Sequence, residues 1–440
     1  MKRFLRFVVK SDFIKRFFKS FQKKGVSPEG EDTGQTREED SLNVEKHEAA
    51  AEANTTKTTE NERAESVDVD TARIEPVQKA QEEKPQTLPN QALICIGEYP
   101  AKILAKGQLS NAIDAFRPIF IGKSSEGLIR FGKDALDTEK IAYLDANVDT
   151  QFWYQVSPYL AENQELFEKI RGKLEGNKYG VLTVSSLWEG IGSATSPILV
   201  SKLKEWNLNT VTLALSPSRL QPSAAHFNAF SSIGMCLAKE TATVILLGRD
   251  QLNKYAGVDR TGAVIKGNMV LNSLIELMLA KTTFVNELSE ISRSFNVKIF
   301  TILAATGASL RIYGSLENIL DTTLFRPLQS TELISASVLY VLVRLPRDLR
   351  EKLTRDRIEL AVADWFKEKA ILKSVYVTEP LYVEDANDRV DLLLFLGGAN
   401  VKDALATMEK KGDAIKTQAL KQGSIKEEDW KVIVKDLGQL

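Results

Sequence analysis

From residue 91 onward the chain alternates short apolar runs with longer mixed segments. QALICIGEY (91–99), RPIFIGKSS (117–125), EKIAYLD (139–145) and YGVLTVSSL (179–187) each read as a strand, the first ending at Gly97. Helical spacing follows over 195–205, then strands at NTVTLALSP (209–217) and ATVILLGRD (242–250). Strands this apolar are buried on both faces, and their alternation with helices predicts a covered parallel sheet. A long helix is expected from about Gly262 to Lys281. Beyond it, VKIFTILAATG, SASVLYVLVRLP, ILKSVYVTEPLYV and RVDLLLFLGG predict a second domain, a mixed sheet with helices between its strands. Residues 401–440 carry a polar helical pattern, with Trp430, Val432 and Ile433 as its expected anchors.

The first 90 residues are patterned differently. In MKRFLRFVVKSDFIKRFFKSFQKK, Phe4, Phe7, Val8, Ser11, Ile14, Phe18 and Phe21 recur at steps of three and four. They share one helical face, which Phe17 widens. The segment holds nine Lys/Arg and one Asp, a net charge of +8. An aromatic face with that charge fits a helix lying in an anionic membrane surface. Docking on this protein's own core or on a partner is the competing reading. The uninterrupted apolar core and cleavage site of a secretory signal are missing. Residues 25–90 contain no Phe, Trp or Tyr and carry a net charge of −10. Such a composition cannot bury enough surface to offset its ordering entropy, so a disordered tether is expected. The predicted organisation is a membrane-binding helix at 1–24, an acidic linker at 25–90, an α/β domain with its central helix at 91–281, an α+β domain at 282–400 and a helical tail at 401–440.

Charge and rare residues narrow the function. Residues 91–440 net only +1, which argues against a nucleic-acid partner. Cys95 and Cys236 sit in apolar runs, and His47 and His226 are the two histidines. Neither set has metal-ligand spacing, so no metal site and no disulfide are expected. No apolar stretch reaches the ~18–20 residues of a membrane span. These features predict a cytoplasmic protein, peripheral on the inner face of the cell membrane.

The run YGVLTVSSLWEGIGSATSPILVSKLKEW, continuing to NTVTLALSPSRLQPSAAHFNAFSSI, resembles the tubulin/FtsZ superfamily. There a strand leads into a GGGTGSG loop, a helix, a second strand and a P-F-x-F-E-G loop. The glycine loop corresponds to residues 188–194, with Pro197 after it, and the helix is expected to be capped by Thr195 and Ser196. Pro217 and Gln221 stand at the first and the Glu positions of the second loop. ICIGEYPAK takes the place of the family's first glycine loop, and the resemblance covers about residues 91–400. It implies a tubulin/FtsZ-like α/β fold, with a parallel Rossmann-type nucleotide-binding domain, a long central helix and a second α+β domain with a mixed sheet. It also implies a site for GTP, with Mg if nucleotide is bound, at Gly97, Gly190, Gly192, Ser193, Pro217, Gln221 and Asn268.

Glycine loops bind phosphate because bare backbone N–H groups close on its oxygens with a helix N-terminus behind them. Here Trp188 and Glu189 replace glycines, and Glu189 would put negative charge beside a pyrophosphate. Glu98, Tyr99 and Pro100 replace those of the first loop, and Pro100 has no N–H to donate. Met269 stands where the family's base-reading acid stands and cannot accept the guanine N–H donors. Weak or lost GTP binding is therefore expected. TFVNELSEIS, laid on the family's N-x-D-x-x-D/E loop, places Glu287 and Glu290 at its two acids. In the family these orient a water at the neighbouring subunit's nucleotide. An E-x-x-E pair at a helix start is also an ordinary solvated capping arrangement.

The resemblance implies a head-to-tail homopolymer acting in membrane remodelling, cell shape or division, with division or remodelling proteins as further partners. Any GTPase would be slow and completed at the subunit interface. A non-polymerising pseudo-GTPase acting as a membrane-bound adaptor is the rival. Elsewhere, His226 reads as a helix residue near the surface of the site. Arg249-Asp250 and Asp259-Arg260 read as surface ion pairs, and Trp153, Trp206 and Trp365 as packing.

Overall fold

A computed structural model describes residues 91–106, 118–123, 141–143, 148–384 and 388–439. The expected membrane helix, with Phe4, Phe7, Val8, Ile14, Phe17, Phe18 and Phe21, and the expected acidic tether lie outside the described residues.

Strands β1 (Ala92–Ile96), β2 (Ile119–Gly122), β3 (Ile141–Tyr143), β4 (Val181–Ser186), β5 (Thr210–Ser216) and β6 (Val244–Gly248) are parallel, in the order β6-β5-β4-β1-β2-β3. Every residue of β1, β4, β5 and β6 is buried, as their unbroken apolar runs require. The hairpin of β7 (Ala256–Val258) and β8 (Val264–Lys266) stands apart from this sheet. Strand β9 (Ile299–Ser309) lies parallel to β6 at Val244 and Ile245 and antiparallel to β13 (Arg389–Gly397). Strand β10 (Val338–Pro346) follows β13, with β11 (Ser374–Val377) and β12 (Leu381–Val383) parallel to β10. A parallel half and a mixed half thus form one continuous eleven-stranded sheet among the described residues.

Helices cover it: α1 (Glu98–Lys106), α2 (Trp153–Glu162), α3 (Gln164–Lys173), α4 (Gly190–Glu205), α5 (Ser223–Leu237), α6 (Arg249–Lys254), α7 (Asn268–Ala280) and α8 (Phe284–Ser294) belong to the first half. The remainder are α9 (Leu310–Tyr313), α10 (Leu316–Leu324), α11 (Arg355–Phe366), α12 (Lys402–Lys421) and α13 (Glu427–Lys435). Helix α7 is the expected central helix. Its Val270, Leu271, Leu274, Ile275, Leu277 and Met278 share one buried cluster with Leu93 and Leu182 of the parallel half and Leu342 and Phe395 of the mixed half. Each such side chain contributes ~1.5–3 kcal/mol on burial, so α7 holds the two halves together.

Two boundaries differ from the sequence expectation. The central helix starts at Asn268, not Gly262, because residues 256–266 make the β7–β8 hairpin and Gly267, at φ 53°, turns the chain into the helix. Helix α4 starts at Gly190 rather than 195, which puts Pro197 in its interior and makes Glu189, not Thr195 or Ser196, the residue that precedes it. Close packing at Gly190 and Gly192 overrides their low helix propensity. In the tail, α12 and α13 lie on α5. Gly412 lets α12 approach the Phe227 backbone, and Trp430 stacks on Phe227 and Phe230 at 6.0 and 5.9 Å. Trp430 and buried Ile433 act as the expected anchors.

Candidate functional site

In a parallel α/β sheet the loops at the carboxyl ends of the strands make the natural ligand crevice. Here β1 ends at Ile96, and Gly97, with φ +96°, turns the chain into α1. β4 ends at Ser186, and Leu187, Trp188 and Glu189 lead into α4. The Glu189 side chain reaches back across the crevice. Its Oε2 accepts the Glu98 N–H at 2.8 Å and its Oε1 the Tyr99 N–H at 3.2 Å. The carboxylate therefore sits on the N-terminus of α1, where unpaired N–H groups and the helix dipole favour an anion. A Cβ at Gly97 would lie 2.4 Å from both Glu189 Oε2 and Ser186 Oγ, so only glycine fits that turn. Burial pushes the Glu189 carboxyl up to about 7, against the pull of the two N–H groups and the Ser186 hydroxyl, while the Glu98 charge adds to the rise.

Aromatic rings close over this contact. Tyr99 meets Trp188 edge-on at 4.9 Å, and the Arg249 guanidinium lies 5.0 Å from each ring. Burial pushes the Tyr99 hydroxyl up, with Arg249 pulling the other way, and that hydroxyl donates to Asn268 Oδ1 at 2.9 Å. Arg249 is thus part of the site and not the surface partner of Asp250 that the sequence suggested. Asp250 instead accepts the Ser218 hydroxyl at 2.6 Å and the Arg219 N–H at 2.9 Å. Burial works against its charge, but these bonds hold its carboxyl below the usual range. Arg260 likewise leaves Asp259 and reaches Asp391 at 3.4 Å.

Around the Pro217 loop, Gln221 Oε1 accepts the Ser218 N–H at 2.8 Å, so this amide closes its own loop. His226 is 1% exposed rather than near the surface, because α12 packs over α5 and Lys411 Nζ bonds the Arg219 carbonyl. Burial and Lys411 push its imidazole below the ordinary value. Trp153 and Trp365 are buried, as packing residues should be.

Gly190 and Gly192 serve close main-chain approach. A Cβ at Gly190 would lie 2.3 Å from Thr150 O, and one at Gly192 2.1 Å from Ser186 O. Ser193 Oγ donates within its own helix, to Glu189 O at 2.9 Å and Gly190 O at 3.1 Å. Asn228 fixes the covering segment by donating to Gln151 O at 2.9 Å and accepting from Trp153 N at 3.2 Å. A nucleotide phosphate does not fit this arrangement. The N–H groups that would receive it already bind a carboxylate, and a second anion there meets like charge in a desolvated place. A separate cavity of about 460 Å³, bounded by Phe152, Tyr154, Ile415 and Gln418, has no basic residue in its lining.

The proposed acids lie elsewhere. Gln91, just ahead of β1, donates to Met278 O and Leu279 O at 3.4 Å and to Lys281 O, and accepts the Val285 N–H at 3.2 Å. Asn209, just ahead of β5, donates to Asn286 Oδ1 at 2.8 Å. Helix α8 therefore begins at the amino ends of the strands. Thirteen residues of α7, about 20 Å at ~1.5 Å each, run between it and Asn268. Within one chain Glu287 and Glu290 are not brought to the Gly97 cluster. Glu287 accepts the Thr283 hydroxyl at 2.6 Å and the Tyr340 hydroxyl at 2.9 Å, and Lys281 Nζ lies at 3.9 Å. Burial, and then the Glu287 charge, push the Tyr340 hydroxyl well up. Glu290 is exposed.

Among the described residues no group of three His, Cys, Asp or Glu side chains is placed to hold a metal ion, and no helix is long and apolar enough to cross a membrane. Cys95 and Cys236 are buried free thiols, both pushed up by burial, Cys236 to about 12.

A parallel Rossmann-type half, a central helix and a mixed second half define a tubulin/FtsZ-like fold. Solved structures bear this out at low identity. CetZ from Methanosaeta thermophila strain DSM 6194 superposes with a TM-score of 0.58 at 16% identity, over 80% of this chain and 98% of that one. The GDP-bound monomer of CetZ1 from Haloferax volcanii matches with 0.58 at 16%, over 75% and 99%. The GTPγS-bound protofilament of CetZ2 from the same organism matches with 0.58 at 18%, over 75% and 99%. No protein-family profile matches the sequence, and no curated protein does.

Proposed function

We propose that the chain is a membrane-associated FtsZ/tubulin-like cytoskeletal scaffold that assembles head-to-tail without turning over GTP. The observation that carries this reading is the Glu189 carboxylate on the N–H groups of Glu98 and Tyr99, in the place a phosphate would take. Met269, 51% exposed beside Asn268, supports it, since a thioether cannot accept guanine N–H donors. GTP and Mg thus have no part in its cycle, and Glu287, already bonded to Thr283 and Tyr340, orients no water.

Head-to-tail assembly is supported by the protofilament form of the CetZ2 structure. The Phe stripe and +8 charge of residues 1–24 support attachment to the inner membrane face, where division or remodelling proteins would be its partners.

Sedimentation of the full chain with anionic vesicles tests the reading. Equal amounts of vesicle-bound polymer are expected with GTP, with ATP and without nucleotide, with phosphate release at background. Phe18→Glu with Phe21→Glu should leave the protein in the supernatant. Assembly that requires GTP, with hydrolysis lost in Glu290→Ala, would overturn the proposal. A monomer under all three conditions would favour the adaptor reading, which the tied-up Glu287 also suits.

A further inference from the structure

We propose that Arg249 receives the Glu290 carboxylate of a second copy of this chain, an ion pair that holds the head-to-tail contact without nucleotide. The inference rests on the head-to-tail reading above and names what joins the copies. Arg249 follows β6 at its carboxyl end, with its guanidinium 5.0 Å from the Tyr99 ring and 5.0 Å from the Trp188 ring. Two aromatic rings restrict the side chain, so its fork of N–H donors is placed before a partner arrives. Among the described residues no carboxylate is paired with it. The adjacent Asp250 is taken up by Ser218 and Arg219, and Glu189 by the head of α1.

Glu290 presents the complementary charge at the opposite end of the sheet. It lies in α8, which begins at the amino ends of the strands, and its side chain is exposed. Among the described residues its carboxylate has no hydrogen bond and no ion pair. Glu287, three positions earlier, is held by the Thr283 and Tyr340 hydroxyls with Lys281 at 3.9 Å. Of the two acids, Glu290 is therefore the one left to reach outward. Within one chain the length of α7 separates it from Arg249, which sits by Tyr99 and its partner Asn268. A head-to-tail contact between these two ends brings the one to the other, and repeating it extends a filament.

An ion pair left in water contributes little. Here apolar side chains stand where they would exclude water from it. Leu220 is 96% exposed in the loop whose Ser218 and Arg219 bond Asp250, next in sequence to Arg249. Met269 is 51% exposed beside Asn268, the residue that accepts the Tyr99 hydroxyl. Covered by a second copy, these side chains would shed water around the guanidinium, where a charge-assisted bond to a carboxylate is stronger and more exacting in geometry.

Charge exchange tests the pair, read by sedimentation of the full chain without nucleotide. Arg249→Glu alone puts like charges at the contact, and so does Glu290→Arg alone. Each should raise the protein concentration needed for assembly at least ~10-fold. The double variant, with both exchanges in one chain, should return to within ~3-fold of the parent. An equimolar mixture of the two single variants should also assemble, because each then meets only the opposite charge on its neighbour. That recovery separates a broken contact from a misfolded chain. Single variants that assemble like the parent overturn the pair, and so does a loss that neither the double variant nor the mixture recovers. A parent that stays monomeric overturns the head-to-tail reading and the pair with it, whereas an assembling parent with indifferent variants overturns the pair alone.

Discussion

The two ends of the parallel sheet meet the same demand, pairing main-chain groups where helices begin and end, with different chemistry. At the amino end a neutral amide does it: Gln91 bonds the last carbonyls of α7 and the Val285 N–H. At the carboxyl end a carboxylate does it, Glu189 on the head of α1. An amide carries both donor and acceptor and is indifferent to pH. A carboxylate only accepts, and burying its charge is costly. The amino end is therefore a fixed joint, whereas the carboxyl end places an ionisable group on the head of a helix.

Substitutions can break that comparison. The largest effect is expected at Gly192→Val, whose Cβ would meet Ser186 O at 2.1 Å. Overpacking against main chain should cost about 3 kcal/mol in chemical denaturation, and a cost below ~1 would mean that α4 does not approach β4 so closely. Gln91→Ala should cost about 2 kcal/mol, through buried carbonyls left unpaired, equally at pH 5 and pH 8.5.

Glu189→Gln should behave in the opposite way. Because the folded carboxyl is raised to about 7, its contribution to stability is complete below 4.5 and is lost as pH rises through 7. The variant should thus be more stable than the parent by on the order of 1–2 kcal/mol at pH 8.5, with no gain at pH 4.5. Destabilisation at both pH values would mean that the bonds to Glu98 and Tyr99 outweigh the buried charge. Glu290→Ala should be the smallest change, under ~0.5 kcal/mol, since its side chain is exposed.

The strands were legible in the sequence because continuous apolar runs bounded by Gly, Ser or Pro leave little choice. Helix starts were less so. Gly190-Ile191-Gly192 looks like a loop by propensity, and only its fit against Thr150 O and Ser186 O makes it the first turn of α4. Gly262 through Lys266 looked continuous with the central helix until paired as a hairpin.

At the site, the glycines and Asn268 could be placed by resemblance, and the acid at 189 could be seen as hostile to phosphate. That it would bond the first turn of α1 could not be read, since this depends on how two connections 90 residues apart face each other. Arg249 was hidden for the same reason: its adjacency to Asp250 suggested an ion pair, while the fold offered it two aromatic faces.

Calorimetric titration of GTP into the full-length protein at pH 7.5, beside the same titration into Glu189→Ala, tests the central claim most directly. The wild type should show no binding up to millimolar nucleotide, and the variant, its N–H groups released, should gain measurable affinity for GTP and for inorganic phosphate. Micromolar GTP binding by the wild type, unchanged in Glu189→Ala, would contradict the account.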